Sequence, residues 1–268
     1  MSNPFVFKTA TASHIGQVRK VNEDDLLVRP EVGLWAVVDG MGGHGGGDLA
    51  SSAIVAALEE IGALDSAAEL LAEFEKCIIR VNSDLRALAQ SKGTAIIGAT
   101  IVAILVHGAN YACVWCGDSR AYLLREGALT PISHDHSEVQ DLIDRGILEP
   151  GEARKWPRRN VVTRALGVAD QAALDIRDGA VRAGDRFLLC SDGLTDHVED
   201  SEIAALLGEA DPQKACDLLI ALTLERGAAD NVSIVVVACD YDTRTIRGDP
   251  PRRGDASASG VPDRDIGG

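Results

Sequence analysis

The sequence has no apolar run long enough to cross a bilayer. Its longest, ATIVAILV before His107, is about half of what a membrane span needs. The N-terminal stretch MSNPFVFKTATASH lacks the basic start and apolar core of a signal peptide. These absences lead to the expectation of a cytoplasmic protein with no membrane partner. Positive charge is scarce: 26 Lys and Arg stand against 41 Asp and Glu, for a formal net charge of -15. That balance opposes approach to DNA or RNA, so no nucleic-acid partner is expected. No repeat of solenoid period is visible. Six cysteines are present, and Cys113 and Cys116 form a C-x-x-C. A zinc site needs two further ligands, and no second pair supplies them. A thioredoxin-like dithiol opens a helix, whereas YACVWCGDSRAYLL reads as strand and turn. Core thiols in a reducing compartment are the expectation.

What is present suffices for a sizeable core: 268 residues, 46% of them hydrophobic, in one large domain or two small ones. FKTATASHIG and DLLVRPEVGLWAVVD read as strands. Asp48 is expected to cap a helix over 48–61, and Leu70, Phe74, Cys77, Ile78, Val81, Leu85 and Leu88 mark an amphipathic helix over 66–90. ATIVAILVH, NYACVWCGD, SRAYLLREG and ALTPIS follow as strands, with turns at 108–110, 117–118 and 126–127 expected to join them as hairpins. A short helix over 137–145 precedes an irregular, partly basic stretch. Strand DRFLLCSD, helices over 201–207 and from Asp211–Pro212 to Gly227, and strand NVSIVVVACD complete the pattern. Consecutive strands with grouped helices predict an α+β fold built on antiparallel sheets. Residues 1–241 read as the folded domain. The polar stretch 242–268 reads as a disordered tail.

LWAVVDGMGGHGGG is the most informative stretch. An apolar run ends at Asp39 and gives way to glycines that permit close approach to the backbone. Two ligands fit such a junction, a phosphate held by N–H groups or a metal held by the carboxylate. Other acids recur at strand ends: Glu23 and Asp24 in RKVNEDDLL, Asp118 after YACVWCG, Asp192 after RFLLCS and Asp230 before NVSIVVV. Acids also stabilise turns by local hydrogen bonds. Clustered ionised carboxylates need cations, and oxygen-only ligands select Mg²⁺ or Mn²⁺. Two such ions suit phosphate-ester chemistry, and Arg19 offers a forked donor for phosphate oxygens. The metal is therefore the preferred reading.

The ordered set R-K-V-N-E-D, V-V-D-G-M-G-G-H, C-G-D-S-R, D-H-S, R-R-N-V-V-T-R-A-L-G, S-D-G-L-T-D and A-D-N-V-S resembles the bacterial metal-dependent Ser/Thr protein phosphatases of the protein phosphatase 2C family, over residues 8 to 240. The resemblance implies a four-layer αββα sandwich of two antiparallel sheets flanked by helix pairs. It implies hydrolysis of phosphoserine and phosphothreonine in proteins by a hydroxide bridging two Mn²⁺ or Mg²⁺ ions. Carried onto this chain, Asp39 bridges both ions and the Gly40 carbonyl binds one. Asp192 and Asp230 complete the other's shell, and Glu23 and Asp24 contact bound waters or the ion itself. Asp118, with Asp192, holds a third, weaker ion. Arg19 binds the substrate phosphate, and Asn231 orients it or Asp230. The implied partners are phosphorylated proteins, targets of a Ser/Thr kinase, met by a monomeric enzyme. The type VI secretion phosphorylation pathway is one setting in which such enzymes occur.

Met41 stands where eukaryotic members carry a histidine as candidate general acid; His44 or a metal-bound water remains for that role. Residues 134–160 match the family's variable flap, with Trp156 where many bacterial relatives have histidine. The flap cations Arg154, Lys155, Arg158 and Arg159 have two readings: attraction of acidic or phosphorylated segments, or a solvated loop offsetting nearby acids. A two-metal nuclease and a non-catalytic binding module are the competing functional readings. The first lacks a basic face, and the second is hard to reconcile with an intact set of acids.

Overall fold

The computed structural model describes residues 4–42, 45–209 and 211–241. In chain order, strands β1 (Phe5–His14), β2 (Asp24–Arg29) and β3 (Leu34–Met41) precede helices α1 (Gly46–Glu59) and α2 (Ala67–Lys92). Strands β4 (Gly98–His107), β5 (Asn110–Cys116), β6 (Arg120–Arg125) and β7 (Ala128–Pro131) follow. Next come α3 (Glu138–Asp144) and a 3₁₀ turn (Pro150–Lys155). The chain continues through β8 (Asp175–Ala180), β9 (Arg186–Cys190), α4 (Asp192–Thr195), α5 (Asp200–Leu207), α6 (Pro212–Glu225) and β10 (Val232–Tyr241). His44, for which a general-acid role is open, and the tail 242–268 lie outside the described residues.

Two five-stranded antiparallel sheets form, in the orders β1-β10-β9-β6-β7 and β2-β3-β4-β5-β8. Side chains alternate across a strand, so a strand that is apolar at every position must be covered on both faces. In β3, Leu34, Ala36 and Val38 enter a core beneath α1 and α2, while Trp35 and Val37 enter the core between the sheets. On the other sheet, Phe187 and Leu189 of β9 face that inter-sheet core. Leu188 and Cys190 pack against Leu194, Ile203, Leu207 and Leu219 of the second helical layer. The expected αββα sandwich is the result. The cysteine pair divides in the same way. Cys113 lies in the inter-sheet core and Cys116 in the helix-side core, and burial pushes both thiols up to about 12. They face opposite sides of one strand and form no dithiol site.

Three local expectations are corrected. The turn at 117–118 is not a hairpin: β5 and β6 belong to different sheets, so this turn crosses the sandwich. Strand β8, unread in the sequence, supplies the edge beside β5; its mostly polar, exposed DIRDGA has no apolar pattern to find. Helix α1 begins at Gly46 behind Gly45, not at Asp48, which sits in its first turn. The glycine at 47 is required there, because a Cβ would lie 2.8 Å from the backbone carbonyl carbon of Gly40. Helix α2 starts as read: the Ser66 side chain accepts from Glu69 N–H, and Gly93 closes the helix in the left-handed region at φ 64°. Among the described residues no helix is long and apolar enough to cross a membrane.

Candidate active site

The inter-sheet layer turns polar at one end. Register places Asp24 opposite Asp39 and Asp39 opposite Thr100, on the face that carries Trp35 and Val37 further along β3. The facing sheet contributes serines. Ser191 Oγ donates to Asp24 Oδ2 at 2.9 Å and accepts from Ser233 N–H at 3.0 Å, and Ser233 Oγ lies 2.8 Å from Ser13 Oγ. Asp192 opens α4 directly after Ser191, and Asp230 and Asn231 precede β10. The crossing turn brings Asp118 to the same end. A cleft of about 260 Å³ results, lined by Arg19, Asp39, Gly40, Asp118, Asp192 and Asp230 among others.

Crowding of carboxylates away from water sets the electrostatics. Burial raises Asp39 well above the ordinary carboxylate range, and the charges of Asp24, Asp192, Asp118 and Asp230 add to it. Asp192 is raised well above the range by burial and then by Asp118, Asp196, Asp230 and Asp24. Burial takes Asp24 up to about 6 and Asp118 up to about 7. Two carboxylate oxygens, Asp24 Oδ1 and Asp192 Oδ1, are buried with no hydrogen-bond partner. Unsatisfied buried acceptors of this charge are costly unless a cation meets them. The donor set is all oxygen, which fits a hard divalent ion. Among the described residues no group of three His, Cys, Asp or Glu is gathered into a ready metal cage. Asp230 is turned to Arg19, whose Nη2 donates to its Oδ2 at 2.6 Å.

The loop before β2 is held in place by Asn231. Its Nδ2 donates to the carbonyls of Ile15 (2.8 Å) and Val21 (3.1 Å), and its Oδ1 accepts from Glu23 N–H (2.9 Å). The side chain thus points into the backbone that carries Arg19 and Glu23. The Asn231 backbone N–H donates to Asp230 Oδ1 at 2.8 Å. Glu23 Oε1 accepts from Gly47 N–H at 3.2 Å, tying the loop to the start of α1. Gly40 N–H donates to the Glu23 carbonyl at 3.0 Å, and a Cβ at Gly40 would lie 2.5 Å from that oxygen. Only glycine permits that approach.

A second, larger groove of about 820 Å³ shares Asp118, Asn160 and Asp192 with the cleft and runs between the flap and α4–α5. The flap arginines are committed to acids around it. Arg154 pairs with Glu199 at 2.5 Å and donates to the carbonyls of Thr195 and Val198. Arg158 pairs with Glu138 at 2.8 Å, and Arg159 lies 3.8 Å from Asp196. Trp156 Nε1 reaches Glu138 at 3.4 Å. Of the two flap readings, these contacts favour charges that offset nearby acids. Sequence reasoning gave no role to Ser191, Ser233, Thr100 or His136. Ser191, Ser233 and His136 lie within the S-D-G-L-T-D, A-D-N-V-S and D-H-S motifs and were open to notice; Thr100 is joined to the site only by the pairing of β3 with β4.

The family model for protein phosphatase 2C matches residues 8–232. The chain belongs to the protein phosphatase 2C family. Among relatives of this phosphatase domain, the serine/threonine protein phosphatase PstP of Mycobacterium tuberculosis is 40% identical over 240 residues. That match takes in 88% of this chain but 46% of PstP, so the chain spans about half the length of that relative. Among solved structures, PppA, described as a key regulatory component of T6SS in Pseudomonas aeruginosa, is 44% identical with a TM-score of 0.82. The match covers 87% of this chain and 97% of PppA. The catalytic domain of PstP in complex with two manganese ions is 37% identical with a TM-score of 0.80, over 88% of this chain and 99% of that one. Curated relatives in the match are serine/threonine phosphatases, and the two antiparallel sheets seen here are shared with the solved structures of such enzymes.

Proposed function

We propose that this phosphatase domain hydrolyses phosphoserine and phosphothreonine in proteins with two Mn²⁺ or Mg²⁺ ions in the cleft. The observation that carries the reading is the pair of buried, unpartnered carboxylate oxygens of Asp24 and Asp192 beside a cleft rimmed by Arg19. Asp39 would touch both ions, and the Gly40 carbonyl one of them. Asp192 and Asp230 would hold the other, with Glu23 and Asp24 completing the shell and Asp118 joining Asp192 at a third, weaker position. Bound there, the ions supply Lewis acidity at phosphorus and an activated water for in-line attack.

The chain's own side chains do the rest. Arg19 presents a forked donor to the phosphate oxygens, and its pairing with Asp230 keeps it at the mouth of the cleft. Asn231 holds the loop that carries it, and the Gly47 amide orients Glu23. Substrate protein occupies the larger groove between flap and α4–α5. The similarity to PstP and PppA supports a role opposing a Ser/Thr kinase; type VI secretion, the setting stated for PppA, is the pathway it points to.

The test is Mn²⁺-stimulated hydrolysis of an aryl phosphate and a phosphothreonine peptide. Asp39→Asn and Asp192→Ala should abolish both activities with the fold intact, and Arg19→Ala should raise KM more than it lowers kcat. Full activity in either acid variant would overturn the assignment. Mn²⁺ binding without hydrolysis by the wild type would replace it with the binding-module reading.

A further inference from the structure

The crossing turn that carries Asp118 is fixed from several sides. Gly117 has φ 118°, in the left-handed region, and its missing Cβ is replaced by close contact with Thr100. Thr100 Oγ1 in turn lies 2.7 Å from Ser119 Oγ, on the other side of Asp118. The remaining hold comes from His136, the buried histidine of the D-H-S motif, which grips Gly117 twice. His136 N–H donates to the Gly117 carbonyl at 2.8 Å, and Gly117 N–H donates to His136 Nδ1 at 3.1 Å. A backbone amide can only donate, so Nδ1 must be the unprotonated nitrogen. The ring proton of the neutral imidazole then sits on Nε2 and points to Asp175 Oδ2 at 3.1 Å; Arg164 Nη1, 3.3 Å from that same Nε2, directs its proton to Asp175 Oδ1 at 3.1 Å instead. The Trp115 ring stacks on the imidazole with centroids 6.2 Å apart.

His136 also belongs to the root of the flap. Its carbonyl accepts from Thr163 N–H at 2.8 Å, and the next residue, Ser137, bridges to Val162 and caps α3. Through its backbone and its ring together, this one residue links the segments entering and leaving the flap to the turn that carries Asp118.

We propose that His136 is a positioning residue for Asp118, holding the crossing turn through its Nδ1 lone pair so that the carboxylate stands at the shared end of the cleft and the groove. The consequence for metal binding rests on the reading of Asp118 as an ion ligand. The contact itself does not. Asparagine places an amide oxygen where Nδ1 stands and keeps the acceptor for Gly117. Glutamine reaches toward Asp175 and loses it.

The experiment compares His136→Asn, His136→Gln, Asp118→Asn and the double variant His136→Gln/Asp118→Asn. The readouts are hydrogen exchange of the Gly117 amide, the half-saturating Mn²⁺ concentration for aryl phosphate hydrolysis, and thermal stability as a control. In the wild type, the ¹⁵N shifts of the His136 ring should show Nδ1 bare and Nε2 protonated. His136→Gln should lose protection at Gly117 and raise the half-saturating Mn²⁺ about tenfold, the scale on which supports of metal ligands act. His136→Asn should stay near wild type in both. The double variant should match Asp118→Asn alone, because the two residues act as one unit. Retained Gly117 protection and an unchanged Mn²⁺ response in His136→Gln would overturn the proposal. So would fully additive effects in the double variant. A wild-type Mn²⁺ response in Asp118→Asn would remove Asp118 from the metal site, while Gly117 exchange still decides the contact.

Discussion

Replacing Asn231 by alanine tests whether this residue acts on substrate or on backbone. The residue is 5% exposed, and its side chain makes three hydrogen bonds, two to carbonyls of Ile15 and Val21 and one from Glu23 N–H. A protein hydrogen bond contributes about 1 kcal/mol net, and each buried group left unpaired costs about 1–3 kcal/mol. The loop lies beside the open cleft, so water rescues part of the loss, and about 2–4 kcal/mol of destabilisation is expected for Asn231→Ala. For a domain of this size that corresponds to a fall in Tm of about 5–15 °C. Asn231→Asp keeps the acceptor for Glu23 N–H but sets a carboxylate oxygen against two carbonyls, and should destabilise at least as much. Because the loop carries Arg19, KM for aryl phosphate should rise in both variants. Urea unfolding, Tm and steady-state kinetics measured together decide the matter. Wild-type stability with a loss confined to kcat would refute the clamp and return Asn231 to the reacting phosphate.

Two further outcomes follow from the same geometry. In EDTA, Asp118 with its pKa of about 7 lies above the unfolded value near 4, so the folded state holds the extra proton between. Its contribution to stability is full below about pH 4 and is lost as pH rises through about 7. Asp118→Asn should therefore gain stability relative to wild type between pH 5 and 8 in urea titrations, and saturating Mn²⁺ should shrink the difference; a pH-independent difference in EDTA would refute the account. In the flap, Arg158 and Arg159 are exposed and paired with Glu138 and Asp196, and such surface pairs contribute about 0–1 kcal/mol. Neutralising both should leave phosphoprotein hydrolysis nearly unchanged at low and high salt, and a slowing confined to low salt would restore the reading in which they attract substrate.

How much of this was legible in the sequence depends on the range over which each signal acts. Asp39, Asp192 and Asp230 announce themselves because an acid at the end or just before the start of an apolar strand is a local pattern, readable in one stretch of chain. The helix ends at Ser66 and Asp211 are likewise local, since a cap bonds its own helix within three residues. The two-sided burial of β3 and β4 also shows as unbroken apolar runs. Tertiary structure decided the rest. A turn with glycine after a strand looks the same whether it returns to the same sheet or crosses to the other, so the placement of β5 and β6 in different sheets had no local mark. The C-x-x-C motif became two separate core thiols only once opposite faces of β5 were covered. The Asn231 clamp spans 210 residues to Val21, and Arg154 and Arg159 of the flap found acids more than 30 residues away between α4 and α5. Hydrogen bonds and ion pairs of that span depend on packing, which sequence pattern records only as burial; their partners exist once the two sheets have closed on each other.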